Sequence, residues 1–493
     1  MNVVWLLLCH SWLWGIAFPD AAEKTKPLIV LITIDDLRPW IGAFGAPFMV
    51  TPALDSLCGD AWFYTNHYVA APSCGPSRYA FLTGRYPSSW KDLDNNVFAH
   101  KRDQSETLQA VPESFVAHFR ESGYYTIGIG KISHSPDGKI YGYEEEAGQE
   151  LELPRSWDEM YLNAEKWGTG WNAFFGYADG SDRNTLNNQV RPYERGLGSD
   201  SLYADGWIAG EAVRRIRGFS KPIVPTLLAV GFFKPHLPFT APSPYWKFYD
   251  NWEDTTHYAL LSDTSVWGVH PNNEFNRYAL GTEIILPDKA ASPAYAQEIR
   301  RAYAASVSYV DAQVGKVITA LKEEGLYEEA IIVVWSDHGW HLGENGVWGK
   351  HTLFDVALRS PLIIKLPKGK TKQPPGEVTD VVSSVDVYPT LLAMVGLKPS
   401  FSLSGRNLLP RMEGEKIPNA AQKALSYWNR SISVRTPEFR FTKNYGNNNL
   451  APMLFKLGVN KHTEAHNIAR EYPEQLLEFF HFTGDPFGID GNK

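Results

Sequence analysis

The chain has 493 residues, with 47 Lys and Arg against 55 Asp and Glu and a formal net charge of −8. That balance argues against a nucleic-acid binder held by phosphate contacts, which needs a surplus of cations. Hydrophobic residues at 44% and charged residues at 21% describe an ordinary globular chain, long enough for one large α/β domain and a smaller appendage.

The chain opens on an apolar run over residues 3–18 that ends near the small-x-small triplet Gly15-Ile16-Ala17. The run is too short and interrupted for a stable membrane span and reads as an export signal over residues 1–22. No later segment is apolar for long enough to cross a bilayer. A periplasmic or secreted destination is expected, or the lysosome in a eukaryote. Cys9 would leave with the signal, and the two remaining cysteines, Cys58 and Cys74, are too few to hold a fold of this size together. Their pairing stays open beside a chemical role for Cys74.

Four apolar runs predict buried strands, each followed by a polar cluster. Residues 28–34 lead into Asp35-Asp36, and 126–129 into Gly130-Lys131 and His134. Residues 226–233 lead into Lys234-Pro235-His236, and 331–335 into Ser336-Asp337-His338-Gly339. Runs without alternation fit strands covered on both faces by helices. Ligands gather beyond the carboxyl ends of such strands, so four ends can converge on one site.

Helices fall between these runs. Thr51-Pro52 predicts a helix start with Thr51 as the cap and Ala53, Leu54 and Leu57 on one face. Ser292-Pro293 opens a long helix in which Val307, Val310, Val314, Val317 and Leu321 keep a helical spacing, and Gly325 stops it. Residues 141–202, rich in Trp, Asn, Gly and Asp, read as a long surface insertion. Beyond Leu409-Pro410, short strands over 431–436 and 440–443 and a helix over 473–480 predict a small α+β subdomain. The expected division is a signal over 1–22, a catalytic domain over 23–411 and a C-terminal subdomain over 412–493.

Cys74-Gly75-Pro76-Ser77-Arg78 is the most informative stretch. Pro76 can begin a helix that Tyr79, Phe81 and Leu82 continue and Gly84 ends. Cys74 then sits at a helix N-terminus with Arg78 one turn on, where the dipole and the guanidinium both favour an anion. An isolated cysteine is otherwise most often a buried structural residue. The adjacent carboxylates Asp35 and Asp36 can face one hard cation if the backbone leaves the extended state there. Asp337-His338 supplies an oxygen and an imidazole at another strand end.

Cys74 to Arg78, continued by Tyr79-Ala80-Phe81-Leu82-Thr83-Gly84-Arg85, resembles the signature of the formylglycine-dependent (type I) sulfatases, in which the cysteine is oxidised to an aldehyde after translation. Ile34-Asp35-Asp36-Leu37-Arg38-Pro39, Gly130-Lys131-Ile132-Ser133-His134 and Lys234-Pro235-His236-Leu237-Pro238-Phe239 also match, as do Ser336-Asp337-His338-Gly339-Trp340 and Trp348-Gly349-Lys350. These six motifs, in order, cover roughly residues 28–411, with a weaker echo at 462–469, and within the family they are most similar to the iduronate-2-sulfatases.

The resemblance implies an alkaline-phosphatase-like α/β sandwich, in which helices enclose a large mixed, mostly parallel sheet, with an antiparallel sheet in the smaller C-terminal subdomain. It implies a divalent metal on Asp35, Asp36, modified Cys74, Asp337 and His338. Ca²⁺ comes first, with Mg²⁺ or a transition metal left open because His338 offers nitrogen to a cation that prefers oxygen. It implies that formylglycine (3-oxoalanine) at position 74 is anchored by Arg78 and Lys131. Lys131, Lys350 and Arg78 are candidates to stabilise a sulfate ester whose bridging oxygen gains charge. His236 would give the leaving alcohol a proton with Lys350 nearby, and His134 would take one back. Trp340 is a candidate substrate contact beside Lys131, His236 and Lys350.

A sulfated oligo- or polysaccharide is the expected substrate, and a formylglycine-generating or anaerobic sulfatase-maturing enzyme the expected maturation partner. Neither nucleic acid nor a stable membrane span is expected. Two rivals remain: a phosphate or phosphonate ester hydrolase of the same superfamily, and an inactive glycan-binding homologue. Trp157, Trp167 and Trp171 either stack on sugar rings or hold the insertion to the core. Asn429-Arg430-Ser431 reads as a glycosylation site in a eukaryote.

Overall fold

All four apolar runs fold as neighbouring strands of one sheet. In chain order its strands are β1 (Ile29–Ile34), β2 (Trp62–Tyr64), β3 (Tyr125–Gly130), β4 (Glu159–Tyr161), β5 (Thr226–Phe232), β6 (Ile331–Ser336), β7 (Leu362–Lys365) and β8 (Glu377–Val378). Their spatial order is β8-β2-β7-β6-β1-β5-β3-β4. β7 pairs antiparallel with both neighbours, and every other pairing is parallel. The computed structural model describes residues 26–103, 113–219, 224–254, 263–281, 283–285, 291–399, 401–447, 449–457, 464, 466–472 and 479. The expected signal segment lies outside these residues, as does nearly all of the expected helix over 473–480.

Successive side chains of β1 alternate between two cores. Val30, Ile32 and Ile34 face α1 (Pro52–Gly59), and Ile29 and Leu31 face α2 (Cys74–Thr83) and α3 (Phe115–Glu121). α4 (Ala204–Arg217) and α5 (Pro293–Glu323) join the first core, and α6 (Val387–Val395) the second. Covering both faces is what lets the strands be apolar throughout, each fully buried side chain contributing roughly 1.5–3 kcal/mol.

The valines expected on the long helix are all buried on α5, and Ser292 caps it through the Tyr295 N–H. The Thr51 cap differs from expectation. The Thr51 hydroxyl donates to Asp55, while the free N–H groups of Ala53 and Leu54 donate to the Asp311 carboxylate of α5. A tertiary contact does the capping there.

The segment over 141–202 is more than a surface insertion. It supplies β4, the edge of the main sheet, and the short helix Gly170–Phe174. Trp157, Trp167 and Trp171 are all buried in the cores; Trp157 and Trp167 serve packing, whereas Trp171 also lines the cavity beside Cys74. Cys58 and Cys74 are both free thiols.

C-terminal to this sheet, β9 (Ala424–Trp428), β10 (Ser431–Arg435), β11 (Phe439–Asn444) and β12 (Met453–Lys456) form an antiparallel meander. The β9–β10 turn places Asn429 and Arg430 at φ 44° and 58°, the left-handed pair that a two-residue hairpin requires. A buried charge network binds this sheet to the segment between β6 and β7 and to Tyr68. Asp355 accepts from Arg435 Nε at 3.3 Å, from Arg440 Nε at 3.1 Å and from the Tyr68 hydroxyl at 3.1 Å, and Arg440 Nε pairs with Glu464 at 2.8 Å.

Replacing Asp355 with Asn keeps the shape but leaves two buried guanidinium groups short of a counter-charge. A loss of about 3–5 kcal/mol is expected, measured as a lower urea midpoint at unchanged slope. A loss under about 1 kcal/mol would mean that Glu464 suffices.

Candidate active site

β6, β1, β5 and β3 lie side by side and parallel, so the clusters that follow them emerge along one edge of the sheet. Ile34 aligns with Ser336 on one side and Phe232 on the other, which brings Asp35-Asp36 between Asp337-His338 and the Lys234–His236 turn. Gly130 ends β3 at φ 75°, where a Cβ would stand 2.2 Å from the Gly231 carbonyl oxygen. Only glycine lets the two strands approach there, and the turn delivers Lys131 and His134.

Cys74 is the first residue of α2, with Ser73 as its extended cap. Gly75 lets that end sit against Asn95, whose backbone a Cβ would meet at 2.6 Å. One turn on, the fully buried Arg78 donates from Nε to Asp337 Oδ2 at 2.9 Å and from Nη1 to the Lys131 carbonyl at 2.7 Å. The Ser77 hydroxyl donates to the Asp337 carbonyl at 2.5 Å. The helix is thereby bolted to the ends of two strands.

Around Cys74 Sγ stand Asp35 Oδ1 at 3.5 Å, His338 Nε2 at 3.4 Å and Lys350 Nζ at 3.3 Å. Asp35, Asp36, Cys74 and His338 each offer a donor atom within 4.8 Å of the others. Asp36 adopts φ 61°, the departure from extended backbone that lets both carboxylates face one point. The Tyr303 hydroxyl holds that conformation through the Asp36 carbonyl at 2.7 Å, and Asp337 Oδ1 accepts the Asp36 N–H at 3.0 Å. Asp337 stands beside this set, turned towards Arg78.

Electrostatics separate the carboxylates. Burial would raise Asp35, but Lys131, 2.6 Å away, and Arg78 outweigh it and hold the carboxyl well below its usual range. Burial wins at Asp36, which is pushed well up although Lys350 pulls it down. Burial and then Asp35 push Asp337 up to about 7. Burial, followed by the Asp35 charge, also keeps the Cys74 thiol well above its usual range. Crowded carboxylates of this kind suit a divalent cation. His338 Nδ1 faces its neighbour's carbonyl, Gly339 O, at 3.0 Å, so in the neutral ring Nε2 is left with its lone pair towards the cluster. The donor set therefore fits a metal.

The remaining expected groups close the other side. Lys131 Nζ lies 4.0 Å from the Phe174 ring centroid. Lys350 Nζ donates to Asp36 Oδ1 at 3.0 Å. His236 Nδ1 faces the Leu237 carbonyl at 2.6 Å, and its Nε2 faces Asp36 Oδ2 at 3.8 Å. His134 Nε2 faces the Tyr143 hydroxyl at 3.4 Å, and its ring lies 5.2 Å from that of Trp171. Burial and Lys350 drive His236 down to about 3, and burial and Lys131 drive His134 well below its usual value. Trp340 departs from expectation. It is fully buried and is not among the residues of the cavity wall, with Lys350 Nζ 5.4 Å from its ring centroid, so it backs the lysine.

Glu274 belongs to this corner, and no motif announced it. Its Oε1 lies 3.3 Å from His236 Nε2 and 3.2 Å from Lys350 Nζ. Burial would raise its carboxyl, but Lys350 and then His236 hold it well below its usual range. Nothing near it in sequence suggests chemistry, since only the short helix Asn273–Asn276 brings it in.

Cys74, Lys131, His134, His236, Glu274 and Lys350 line a cavity of about 950 Å³. The C-terminal sheet forms part of its wall through Trp428, Asn429, Arg430, Ser431, Thr442 and Asn444. Asn429, the head of the glycosylation triplet, thus sits where a glycan would crowd the mouth. His351 also lines the cavity and stacks on Trp428 at 4.9 Å. Among the described lining residues are five Lys or Arg side chains (Lys131, Arg183, Arg277, Lys350 and Arg430) and one carboxylate, Glu274.

Comparison with known proteins places the chain in a family. The sulfatase family model matches residues 27–397, and that of the N-sulphoglucosamine sulphohydrolase C-terminal region matches residues 343–468. The chain is 29% identical over 459 residues to the iduronate 2-sulfatase of Mus musculus, covering 83% of this chain and 79% of that one. It is 27% identical over 486 residues to the Homo sapiens iduronate 2-sulfatase, covering 84% of each. The phosphonate monoester hydrolase SpPMH from Silicibacter pomeroyi shares the fold, with a TM-score of 0.70 at 22% identity over 94% of this chain and 96% of that one. With Cys74 at the helix tip, the charges packed around it and a family match over most of the length, the chain belongs to the sulfatase family and is a sulfuric ester hydrolase.

Proposed function

We propose that this protein is an exported, Ca²⁺-dependent sulfatase that removes sulfate from an anionic carbohydrate after Cys74 has been converted to formylglycine. The observation that carries the reading is the surroundings of Cys74: it opens a helix, lines the cavity, and touches Asp35, His338 and Lys350 at once. Conversion would replace its sulfur with oxygen, which makes the donor set of Asp35, Asp36, His338 and residue 74 harder and closer to what calcium prefers. Asp337, 3.8 Å from His338 Nε2, would join these ligands while it anchors Arg78. When bound, the cation would supply Lewis acidity towards the ester, and formylglycine would supply, as its hydrate, a hydroxyl nucleophile.

The chain's own residues do the rest. Arg78 and Lys131 hold residue 74, and Lys131 and Lys350 offset charge on the sulfate and on the bridging oxygen. His236, beside Lys350 and Glu274, is placed to hand a proton to the departing alcohol. Burial and Lys350 keep its ring neutral on its own, so it takes up that proton only when the anionic ester is bound beside it. His134 takes a proton back as sulfate leaves.

The wall favours a polyanionic substrate. Five cations face one carboxylate in a chain of net charge −8, a local reversal that draws anions and repels a cationic alcohol. The relatives named iduronate 2-sulfatase support a 2-O-sulfated uronate; a fragment of another sulfated polysaccharide fits the same wall. The apolar N-terminal run supports export, to the lysosome in a eukaryote, and the scarcity of cysteine leans towards the bacterial periplasm or medium. No helix of the described residues is long and apolar enough to cross a membrane.

Intact mass of the peptide spanning residue 74 is expected to report aldehyde in active protein, and Cys74→Ala is expected to lower kcat by on the order of 10⁴ or more. Full activity with cysteine unchanged would overturn the nucleophile assignment. Chelation with EGTA is expected to abolish sulfate release and lower the melting temperature, Ca²⁺ restoring both better than Mg²⁺; excess cation at about 100 times Kd contributes roughly 2.7 kcal/mol. Indifference to chelation would remove the metal from the reading. Because phosphonate hydrolases share the fold, sulfate release from a sulfated sugar should also be compared with phosphate release from its phosphate analogue. Sulfate is expected to be faster by at least about 100-fold, and equal or reversed rates would favour the phosphorus reading.

A further inference from the structure

Arg183 follows the short helix Gly170–Phe174 and lines the same cavity as Cys74. It is 3% exposed, yet among the described residues no carboxylate pairs with it. Its neighbour Asp182 commits its oxygens to the N–H groups of Asn184 and Thr185 and to the Thr185 hydroxyl. Arg183 Nε is buried without a hydrogen-bond partner, and Nη2 reaches Asn184 Oδ1 only at a long 3.4 Å. The guanidinium lies over Phe175, with Cζ 3.4 Å from the ring centroid. Phe175 in turn stands 6.0 Å from the His236 ring, so one aromatic ring separates this cation from the reacting corner.

A buried guanidinium with no carboxylate partner is costly, and its contacts with Phe175, Asn184 and Tyr278 offset only part of that cost. Arg277 and Arg430 line the cavity too but are exposed, so water can solvate them. Arg183 is different. Its planar fork is suited to a carboxylate or a sulfate, both of which accept two parallel hydrogen bonds.

We propose that Arg183 binds a second anionic group of the substrate, on the ring that bears the scissile sulfate or on the adjoining ring, and so selects multiply charged sugars over singly charged sulfate esters. The assignment deepens, and rests on, the sulfatase reading. The shared chemistry is a planar or tetrahedral oxyanion, supplied by a sugar carboxylate or by a further sulfate.

The test compares matured wild type, Arg183→Gln and Arg183→Lys on four substrates: an aryl sulfate, a 2-O-sulfated uronate, its carboxyl-reduced alcohol and a disulfated hexosamine. Arg183→Gln is expected to raise KM for a substrate carrying the second anion by roughly 10- to 100-fold, with kcat changed far less. The ratio of its kcat/KM to that for aryl sulfate falls accordingly, and Arg183→Lys lies between. A loss confined to the uronate and absent from its alcohol assigns the carboxylate; a loss confined to the disulfated sugar assigns the second sulfate. Equal losses on all four substrates, or none, would overturn the proposal and leave Arg183 a packing residue. Wild type that releases no sulfate even from aryl sulfate would defeat the sulfatase reading instead. Calorimetry with the sulfated uronate and the disulfated hexosamine then decides separately, because equal affinity of wild type and Arg183→Gln for both sugars sinks the inference.

Discussion

Three carboxylates and three strong cations share a wholly buried space around one thiol, and the geometry of the site depends on keeping them in balance. Asp35, Asp36 and Asp337 would repel one another apart in a low-dielectric interior. Arg78, Lys131 and Lys350 hold them together, at 2.9 Å from Arg78 to Asp337, 2.6 Å from Lys131 to Asp35 and 3.0 Å from Lys350 to Asp36. The compensation is uneven, for Asp35 is firmly ionised while burial pushes Asp36 and Asp337 up. The ligand atoms of Asp35, Asp36, Cys74 and His338 lie within 4.8 Å of one another, a spacing that suits a single cation.

Such a cluster needs a rigid frame, and the parallel sheet provides it. Four adjacent strands run the same way, so four loops of unrelated sequence emerge within reach of each other. The strands are apolar on both faces because helices cover both, and that covering fixes where their ends point. The long α5 helix also reaches the site indirectly, since its Tyr303 hydroxyl holds the left-handed Asp36. Packing far from Cys74 thus sets the direction in which a carboxylate faces.

Beyond the cluster, the cavity is built from segments that share no motif. The 141–202 region brings Tyr143, Trp171, Phe174, Phe175 and Arg183, the helix at Asn273–Asn276 brings Glu274, and the C-terminal hairpin brings Trp428 to Ser431. The chain as a whole is acidic, yet this wall is basic. Local placement of cations, and not the net charge, governs which molecules the cavity attracts.

The sequence alone determined the strands that carry the chemistry and the residues at their ends. Each strand is a short, uninterrupted apolar run and each end a compact polar cluster, so the pattern is local and survives without coordinates. The helix at Cys74 was legible for the same reason, from Pro76 to Gly84. Tertiary structure decided what depends on distant contacts. Asp311 took over the cap expected of Thr51, Trp340 proved to back Lys350 away from the cavity, and Glu274 reached His236 from 38 positions away along the chain. A side chain's partners are set by which segments the fold brings alongside it, and no spacing within one segment encodes that.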